Sequence, residues 1–389
     1  MKTVTINNTP IKMWVKVLDG NAWKEVDYMS RLPFLHSHIA LMPDAHGGSG
    51  MPIGGVIATK GVLIPGAISP DAGCGMQAMK TSLKVSDIPV DVLRKGILRG
   101  IRKRVPLEAK HKTPQPEEYM PQGFDFDKLP IVRANYDQIR RNMGTLGGSN
   151  HFIELQKDPD GYLWAMIHTG SRGCGGYVFN YYAERAKVLN SKYYSVVPEE
   201  SRLWFLPSGT PEFKGYWEEL QYCLAFARCN RNRIMECIRE SILEAIPEAQ
   251  FEEPIDIHHN FAEWEEHFGE KVLVHRKGAT RAGLDEIGII PGSQGTCSYI
   301  VRGLGNPESF CSCSHGAGRL MSRSEATAIL NVADEVAKME ERGIIHAIRG
   351  RRDLEEAPGA YKNIDEVMEN QKDLVEPIIK LEPIAVIKG

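Results

Sequence analysis

The residues of this chain best suited to chemistry are spread along it, and that spread constrains the fold more than any other feature. Asp71 and Cys74 lie in Pro70–Gly75, His151 in Gly147–Glu154 and His168 in Trp164–Gly173. His258 and His259 lie in Asp256–Phe261, and His315 in Ser312–Met321. All sit among Gly, Ser or Asn, in segments that read as strand ends and loops. A site gathered from positions about 250 apart needs the intervening segments to fold together, which argues for one domain rather than several. Aspartate, cysteine and histidine are the ligand types of a borderline transition-metal site. Carboxylate and imidazole suit Mn(II) or Zn(II), and a thiolate can bridge two ions.

His315 stands apart from the ligand types because Gly316, Ala317, Gly318 and Arg319 follow it directly. An imidazole is a competent nucleophile once a neighbour fixes its tautomer. Small residues let backbone N–H groups approach a phosphate. Arg319 adds a fork-shaped cation suited to phosphate oxygens. Taken alone, such a turn reads as structural; its company makes it a candidate nucleophile loop.

Short apolar runs at 56–59 and 62–65 predict strands joined by tight turns, as do 271–275, 288–291 and 298–302. A helix is predicted over 87–104, begun by Ser86 and Asp87. The clearest helical period covers 213–246, with Trp217, Leu220, Leu224, Ala227, Ile234, Ile238 and Ile242 on one face and Pro247 as its stop. Another helix is predicted from the Ser322 cap to Met339. The Pro-rich stretch 105–130 reads as an exposed insert. These elements predict an α+β protein: a single large domain, 1–389, with central β-sheets flanked by helices.

Composition narrows the class. Of 389 residues, 42% are hydrophobic and 25% charged, as in a globular enzyme with a sizeable core. No apolar run nears the ~20 residues of a membrane span. Met1–Pro10 lacks the apolar centre of a secretory signal. The eight cysteines show no framework spacing and read as reduced thiols, so a cytoplasmic setting is expected. The net charge of −3 leaves nucleic-acid binding to local patches. Arg94–Arg104 carries six Lys or Arg in eleven residues. It reads equally as an RNA contact or as the solvated face of a helix with Ile97, Leu98 and Ile101 turned inward.

In order along the chain, Met42–His46, Pro52–Gly55, Asp71–Gly75, Asn150–Glu154, His168–Gly173, His259–Asn260, Ile290–Ser293, Val301–Asn306, His315–Arg319, Ala360–Asp365 and the terminal Lys388–Gly389 resemble the RtcB family of RNA ligases. The resemblance runs from about Pro10 to the end, and so many ordered motifs do not recur by chance. It implies an RtcB-like fold and a GTP-dependent ligase joining RNA 3′-phosphate or 2′,3′-cyclic phosphate ends to 5′-hydroxyl ends, in RNA repair or tRNA splicing. His315 would carry GMP as the catalytic nucleophile, and an RNA(3′)pp(5′)G end would follow. Two Mn(II) ions are implied, one held by Asp71, Cys74 and His151, the other by Cys74, His168 and His259. The GTP site is implied at Asn150, His151, Phe152, Ile153, Glu154, His259, Asn260, Pro291, Gly292, Ser293, Gln294, Ser298, His315, Gly316, Ala317, Gly318, Tyr361 and Lys388. Glu154 and Lys388 would read the base, Tyr361 would pack on it, and Arg172 and Arg319 would contact phosphate or an RNA end.

One departure is Gln294, where the resemblance leads one to expect an apolar residue, usually methionine. His258 reads as a packing residue beside His259. His46 and Asp44 read as neighbours of the site rather than ligands. No Lys-x-Asp-Gly signature of lysine-adenylylating ligases is present, which favours the histidine route. Two other readings of the same residues are a metal-dependent phosphoesterase acting on RNA ends and a non-catalytic RNA-binding relative. The RNA substrate, any activator protein and the oligomeric state are left open by the sequence.

Overall fold

A computed structural model describes residues 1–108 and 110–388, so Gly389 and Ala109 lie outside the described residues. The described residues form an α+β fold built on two main sheets with helices outside. One six-stranded sheet runs in the order Lys2–Ile6, Thr9–Met13, Leu35–Ser49, Met51–Thr59, Glu270–Lys277, Asn260–His267. A seven-stranded sheet runs Ile255–His258, Gly75–Lys84, Tyr162–Thr169, Phe152–Lys157, Val375–Lys388, Ser298–Gly303, Ile287–Ile290. Several neighbouring pairs join distant parts of the chain, among them Met51–Thr59 with Glu270–Lys277 and Phe152–Lys157 with Val375–Lys388, as the scattered motifs required.

The central strands of both sheets are covered on both faces, which is why several of them read as nearly continuous hydrophobic runs. In the six-stranded sheet, Ile39, Leu41 and Ile57 pack on Val26 and Met29 of the helix Gly20–Ser30. Its other face places Val56, Ala58, Val272 and Val274 against Ile290, Tyr299 and Val301 of the seven-stranded sheet. That second sheet packs Ile153, Leu155, Ala165 and Ile167 on Ile234, Ile238 and Ile242 of the long helix Pro211–Ala245. Each such fully buried aliphatic side chain contributes about 1.5–3 kcal/mol of transfer free energy.

The long helix starts at Pro211, two residues before the predicted 213. The Thr210 hydroxyl accepts from the Phe213 N–H, and Pro211 fills the first turn, where its missing N–H costs nothing. Midway along, Arg231 is wholly buried. Its guanidinium pairs with Asp256 at 2.7 and 2.8 Å and donates to the Gly73 and Thr169 carbonyls at 3.0 and 3.1 Å. These carbonyls immediately precede Cys74 and follow His168, so the helix is bolted to two site loops.

Three expectations need correction. The helix predicted over 87–104 starts later: Val85–Asp87 is a 3₁₀ turn, Val92–Leu98 is π-helical and Arg99–Arg104 is α-helical. Pro89 disfavours helical backbone in the residue before it, and Ile88 is extended. The helix predicted from Ser322 to Met339 is two, Arg323–Ile329 and Val332–Glu341. Asn331 caps the second through its side chain, which competes with continuation of the first. The 105–130 stretch is not a freely exposed insert, because Val105, Met120 and Leu129 are buried in two apolar clusters. The basic helix buries Ile97, Leu98 and Ile101, and Arg104 reaches Glu240 and Glu244 of the long helix.

Candidate functional site

Strand register gathers the ligand-type residues. Gly75 pairs with Thr169 and with His258, and Phe152 pairs with His168. One end of the seven-stranded sheet therefore presents Cys74, His151, His168 and His259 together, His168 one residue inside its strand end and the other three one residue outside theirs. His259 sits where the chain leaves Ile255–His258 in one sheet and enters Asn260–His267 in the other. Its N–H donates to the Cys74 carbonyl at 2.8 Å. Adjacent side chains diverge there, as extended backbone dictates. His258 turns away, its Nδ1 3.0 Å from the Gly73 carbonyl and 3.2 Å from Arg231, in the packing role expected of it.

Two triads share one sulfur. Cys74, His168 and His259 form one, and Asp71, Cys74 and His151 the other; within each, the ligand-type atoms lie within 4.8 Å of one another. Cys74 Sγ is 3.4 Å from His168 Nε2 and 3.5 Å from His151 Nε2. His168 Nε2 lies 3.3 Å from His259 Nε2, and His151 Nε2 lies 3.2 Å from Asp71 Oδ2. The outer nitrogens are anchored: His151 Nδ1 donates to the Leu146 carbonyl at 3.0 Å, and His168 Nδ1 to the Asn150 carbonyl at 3.1 Å. This fixes the tautomers and turns the Nε2 lone pairs inward, as metal-binding histidines require. Asp71 can approach only because residue 170 is glycine; a Cβ there would lie 2.3 Å from its Oδ1.

The electrostatics fit a cation. Burial holds His168 and His259 well below the usual imidazole range, and neighbouring histidines add to the effect. Both rings are therefore neutral and able to donate lone pairs. Burial alone would raise Asp71, but its hydrogen bond to His151 and the attraction of that ring hold it at about 2. Burial, with Asp71 beside it, raises the Cys74 thiol well above its ordinary value. Three imidazoles, a carboxylate and a buried thiol converging on one point fit a divalent ion, which would draw the proton from the thiol.

Beside the cluster opens a recess lined by His168, Glu154 and Lys388 among other residues. His315 lies on its wall. The His315 ring is 4.9 Å from that of His259, centre to centre. Its Nδ1 lies 2.6 Å from Asp44 Oδ2, and its backbone N–H donates to the same oxygen at 3.1 Å. Asp44 is wholly buried. The carboxylate thereby holds the proton on Nδ1 and leaves Nε2 as the basic nitrogen. The close fit requires Gly318, whose φ is +73° and whose added Cβ would lie 2.3 Å from the Asp44 carbonyl oxygen. Sequence reading placed Asp44 near the site and missed this role, because 271 positions separate it from His315.

The far end of the recess carries buried polar groups. Lys388 pairs with Phe152 and Val386 with Glu154, so Lys388 and Glu154 share one face of adjacent strands. Burial lifts the Glu154 carboxyl to about 8, against the hydrogen bond from Gln156 and the attraction of Lys388. Lys388 is lowered by burial and also faces Glu356 at 3.7 Å. Pro291, Gly292, Ser293, Gln294, Gly316, Ala317, Tyr361 and Asn150 also line the recess. The Gln294 amide N–H donates to the Glu356 carbonyl at 2.7 Å. Ser298 sits behind the wall, its hydroxyl bonded to Gln156 and to the Gly292 N–H.

Some expected contacts are placed differently. Ile153 points to the opposite sheet face and is packed in the apolar core, since alternate residues of a strand face opposite ways. Asn260 braces backbone, donating to the Asp71 carbonyl and accepting from the Gly278 N–H. Arg319 is not a free phosphate clamp. It pairs with Glu356 at 3.1 Å, donates to the Glu355 and Met321 carbonyls, and lies 5.2 Å from the Tyr361 ring centre. The Tyr361 hydroxyl bonds to Glu356 as well. Glu356 thus ties Arg319, Tyr361 and Lys388 together, and nothing in its charged local sequence pointed to that. Arg172 stands beside the cluster in left-handed backbone, its Nη1 3.5 Å from His151 Nδ1, with no ion pair among the described residues.

Comparison with known proteins agrees with this geometry. The profile described as tRNA-splicing ligase RtcB matches residues 25–389. The RNA-splicing ligase RtcB of Escherichia coli K12 is 37% identical over 415 aligned positions, covering 99% of each chain. The tRNA-splicing ligase RtcB of Thermococcus kodakarensis is 31% identical, covering 96% of this chain and 92% of that one. The RNA-splicing ligase RtcB of Mycobacterium tuberculosis is 30% identical, covering 94% of this chain and 100% of the relative. A match of this extent, on a fold that draws the scattered motifs into one place, shows that the chain belongs to the RtcB family of RNA ligases.

Proposed function

We propose that this chain uses GTP and Mn(II) to seal RNA 3′-phosphate or 2′,3′-cyclic phosphate ends to 5′-hydroxyl ends, in RNA repair or tRNA splicing. The observation that carries the reading is the His315–Asp44 pair at 2.6 Å, on a recess that joins a Cys–His cluster to the buried Glu154 and Lys388. Nε2 of His315 attacks the α-phosphorus of GTP. A P–N bond forms, the bond to the β-phosphate oxygen breaks, and pyrophosphate leaves. An oxygen of the RNA 3′-phosphate then attacks the same phosphorus and restores the imidazole, giving RNA(3′)pp(5′)G. The 5′-hydroxyl of the second RNA end attacks the RNA phosphorus and expels GMP. A cyclic phosphate is first opened by water.

Each group has a physical task. Asp44 selects the tautomer with the proton on Nδ1, which turns Nε2 to the phosphate as the nucleophile, and stabilises charge on the ring. Glu154 accepts from guanine N–H groups and Lys388 donates to an acceptor on the same base. A pocket built on such hydrogen bonds rejects adenine by leaving buried partners unmet. Gly316, Ala317 and Gly318 let backbone approach the phosphates. Arg172 contacts a phosphate, and Arg319 holds the base-binding wall through Glu356. Asp71, Cys74 and His151 would hold one Mn(II) ion and Cys74, His168 and His259 a second, and the pair would supply charge neutralisation on the phosphate oxygens. The thiol ligand needs a reducing setting, consistent with a cytoplasmic enzyme.

Defined RNA ends provide the test. Joining of 3′-phosphate to 5′-hydroxyl termini with GTP, and none with 3′-hydroxyl termini or with ATP, is expected. Ligation of 3′-hydroxyl ends, or with ATP equally well, would overturn the reading.

A further inference from the structure

The helix Cys174–Lys192 begins at the candidate metal centre and carries an exposed stripe that the chemistry above does not use. Just before its first turn, the Ser171 N–H donates to Asp71 Oδ1 at 3.1 Å, and Arg172 approaches His151. From there Tyr177, Tyr181, Arg185, Val188 and Lys192 recur at three- and four-residue spacing on the outer face. The side chain of Tyr177 starts this row against Gly173, where an added Cβ would lie 3.7 Å from the ring. Tyr177 and Tyr181 are more than one-third exposed. Arg185 lies 5.2 Å from the Tyr181 ring centre and donates to its hydroxyl. Lys192 lies 5.6 Å from the Tyr193 ring. Tyr194, next in the chain, is 94% exposed.

Exposed tyrosines alternating with cations are costly to leave in water without a partner. An apolar protein face would not interleave arginine and lysine with its rings. A single-stranded nucleic acid matches both components: bases stack on the rings, and phosphates meet the cations. At 1.5 Å per residue, the row spans roughly 29 Å from Gly173 to Lys192, room for several nucleotides. Glu184 on the same face is the one opposing charge among these residues and sits beside Arg185.

We propose that this stripe is the platform on which the single-stranded RNA leading to a broken end is held, with Tyr177 and Tyr181 as stacking positions and Arg185 and Lys192 as phosphate contacts. The proposal rests on the ligase reading for the identity of the strand, but its test does not depend on the chemistry. Binding is measured by fluorescence anisotropy with a labelled single-stranded RNA bearing a 3′-phosphate, without nucleotide or metal. Thermal melting verifies that each variant is folded. Each Tyr→Ala exchange at 177 or 181 is expected to weaken binding about 5- to 150-fold, and the double exchange more. Tyr177→Phe and Tyr181→Phe keep the ring and should bind within about twofold of the unaltered protein. Arg185→Gln should weaken binding and flatten its salt dependence.

An unchanged affinity in the double alanine variant would overturn the proposal, as would equal losses from the Phe and Ala exchanges. A changed oligomeric state with unchanged RNA affinity would identify the face as a protein contact and overturn it too. Guanylate transfer by the unaltered protein, scored separately, reports on the ligase reading: tyrosine-dependent RNA binding without such transfer sinks that reading and leaves the platform standing.

Discussion

Asp44→Asn isolates the role of the buried carboxylate. Asp44 accepts two hydrogen bonds from one residue, from the His315 ring at 2.6 Å and from its backbone at 3.1 Å. Asparagine has nearly the same shape, so the loop geometry is retained, but it carries no charge. Losing the charge-assisted bond to the ring costs about 1.5–3 kcal/mol, or roughly 10- to 150-fold in rate. If the amide turns its N–H₂ toward Nδ1, the proton moves to Nε2 and the nucleophile is blocked. An equivalent exchange beside a catalytic histidine lowers turnover about 10⁴-fold. Guanylylation is therefore expected to slow by between about 10- and 10⁴-fold. The assay is single-turnover transfer of label from α-phosphate-labelled GTP to the protein with Mn(II). Bound manganese should stay at the unaltered level, because Asp44 belongs to neither triad. Asp44 Oδ1 is buried without a partner, so an amide N–H₂ placed there would also cost about 1–3 kcal/mol of stability. Guanylylation at the unaltered rate would refute the tautomer argument, whatever the loss of stability.

Other expected outcomes follow from the same geometry. Cys74→Ala removes the sulfur shared by both triads and should lower manganese content and abolish ligation; metal analysis showing full stoichiometry with full activity would remove Cys74 from the site. Glu154 gives a pH signature: its folded-state value of about 8 exceeds the ordinary 4.5, so its contribution to stability falls as pH rises from about 4.5 toward 8. Guanosine binding to the ionised carboxylate should instead tighten as pH rises toward about 8, by up to roughly tenfold per unit, and Glu154→Gln should flatten that profile in calorimetric titrations. Arg231→Met leaves the Gly73 and Thr169 carbonyls without their guanidinium donor and Asp256 with only Arg228 at 3.5 Å, and should destabilise the fold by about 1–3 kcal/mol in denaturant titrations; no measurable loss would show that the buried guanidinium is not the bolt described.

How much of this was legible depended on whether a residue's role is local. Cys74, His151, His168 and His259 announced themselves because each stands among small residues at a strand end, and strand register then placed them together. The apolar period over 213–246 and the stop at Pro247 mark out most of the long helix from local sequence alone, whereas its cap at Thr210 emerged only from the structure. Asp44 and Glu356 were not legible as an orienting base and a hub. Their partners lie far along the chain, and a buried carboxylate looks the same in sequence as an exposed one. Ile153 was wrongly grouped with its neighbours because a motif names consecutive residues while a strand points them alternately. The break at Asn331 escaped because a side-chain cap and a helical period compete within one segment, and the period was the stronger signal.

The most direct test is to map the covalent intermediate. Protein incubated with GTP and Mn(II), digested under mildly alkaline conditions and sequenced by mass spectrometry, should carry one guanylate on the peptide containing His315. The adduct should be acid-labile, and His315→Ala should lack it. A guanylate attached to a lysine or to another histidine, or RNA ligation in the His315→Ala protein, would contradict the mechanism at its root.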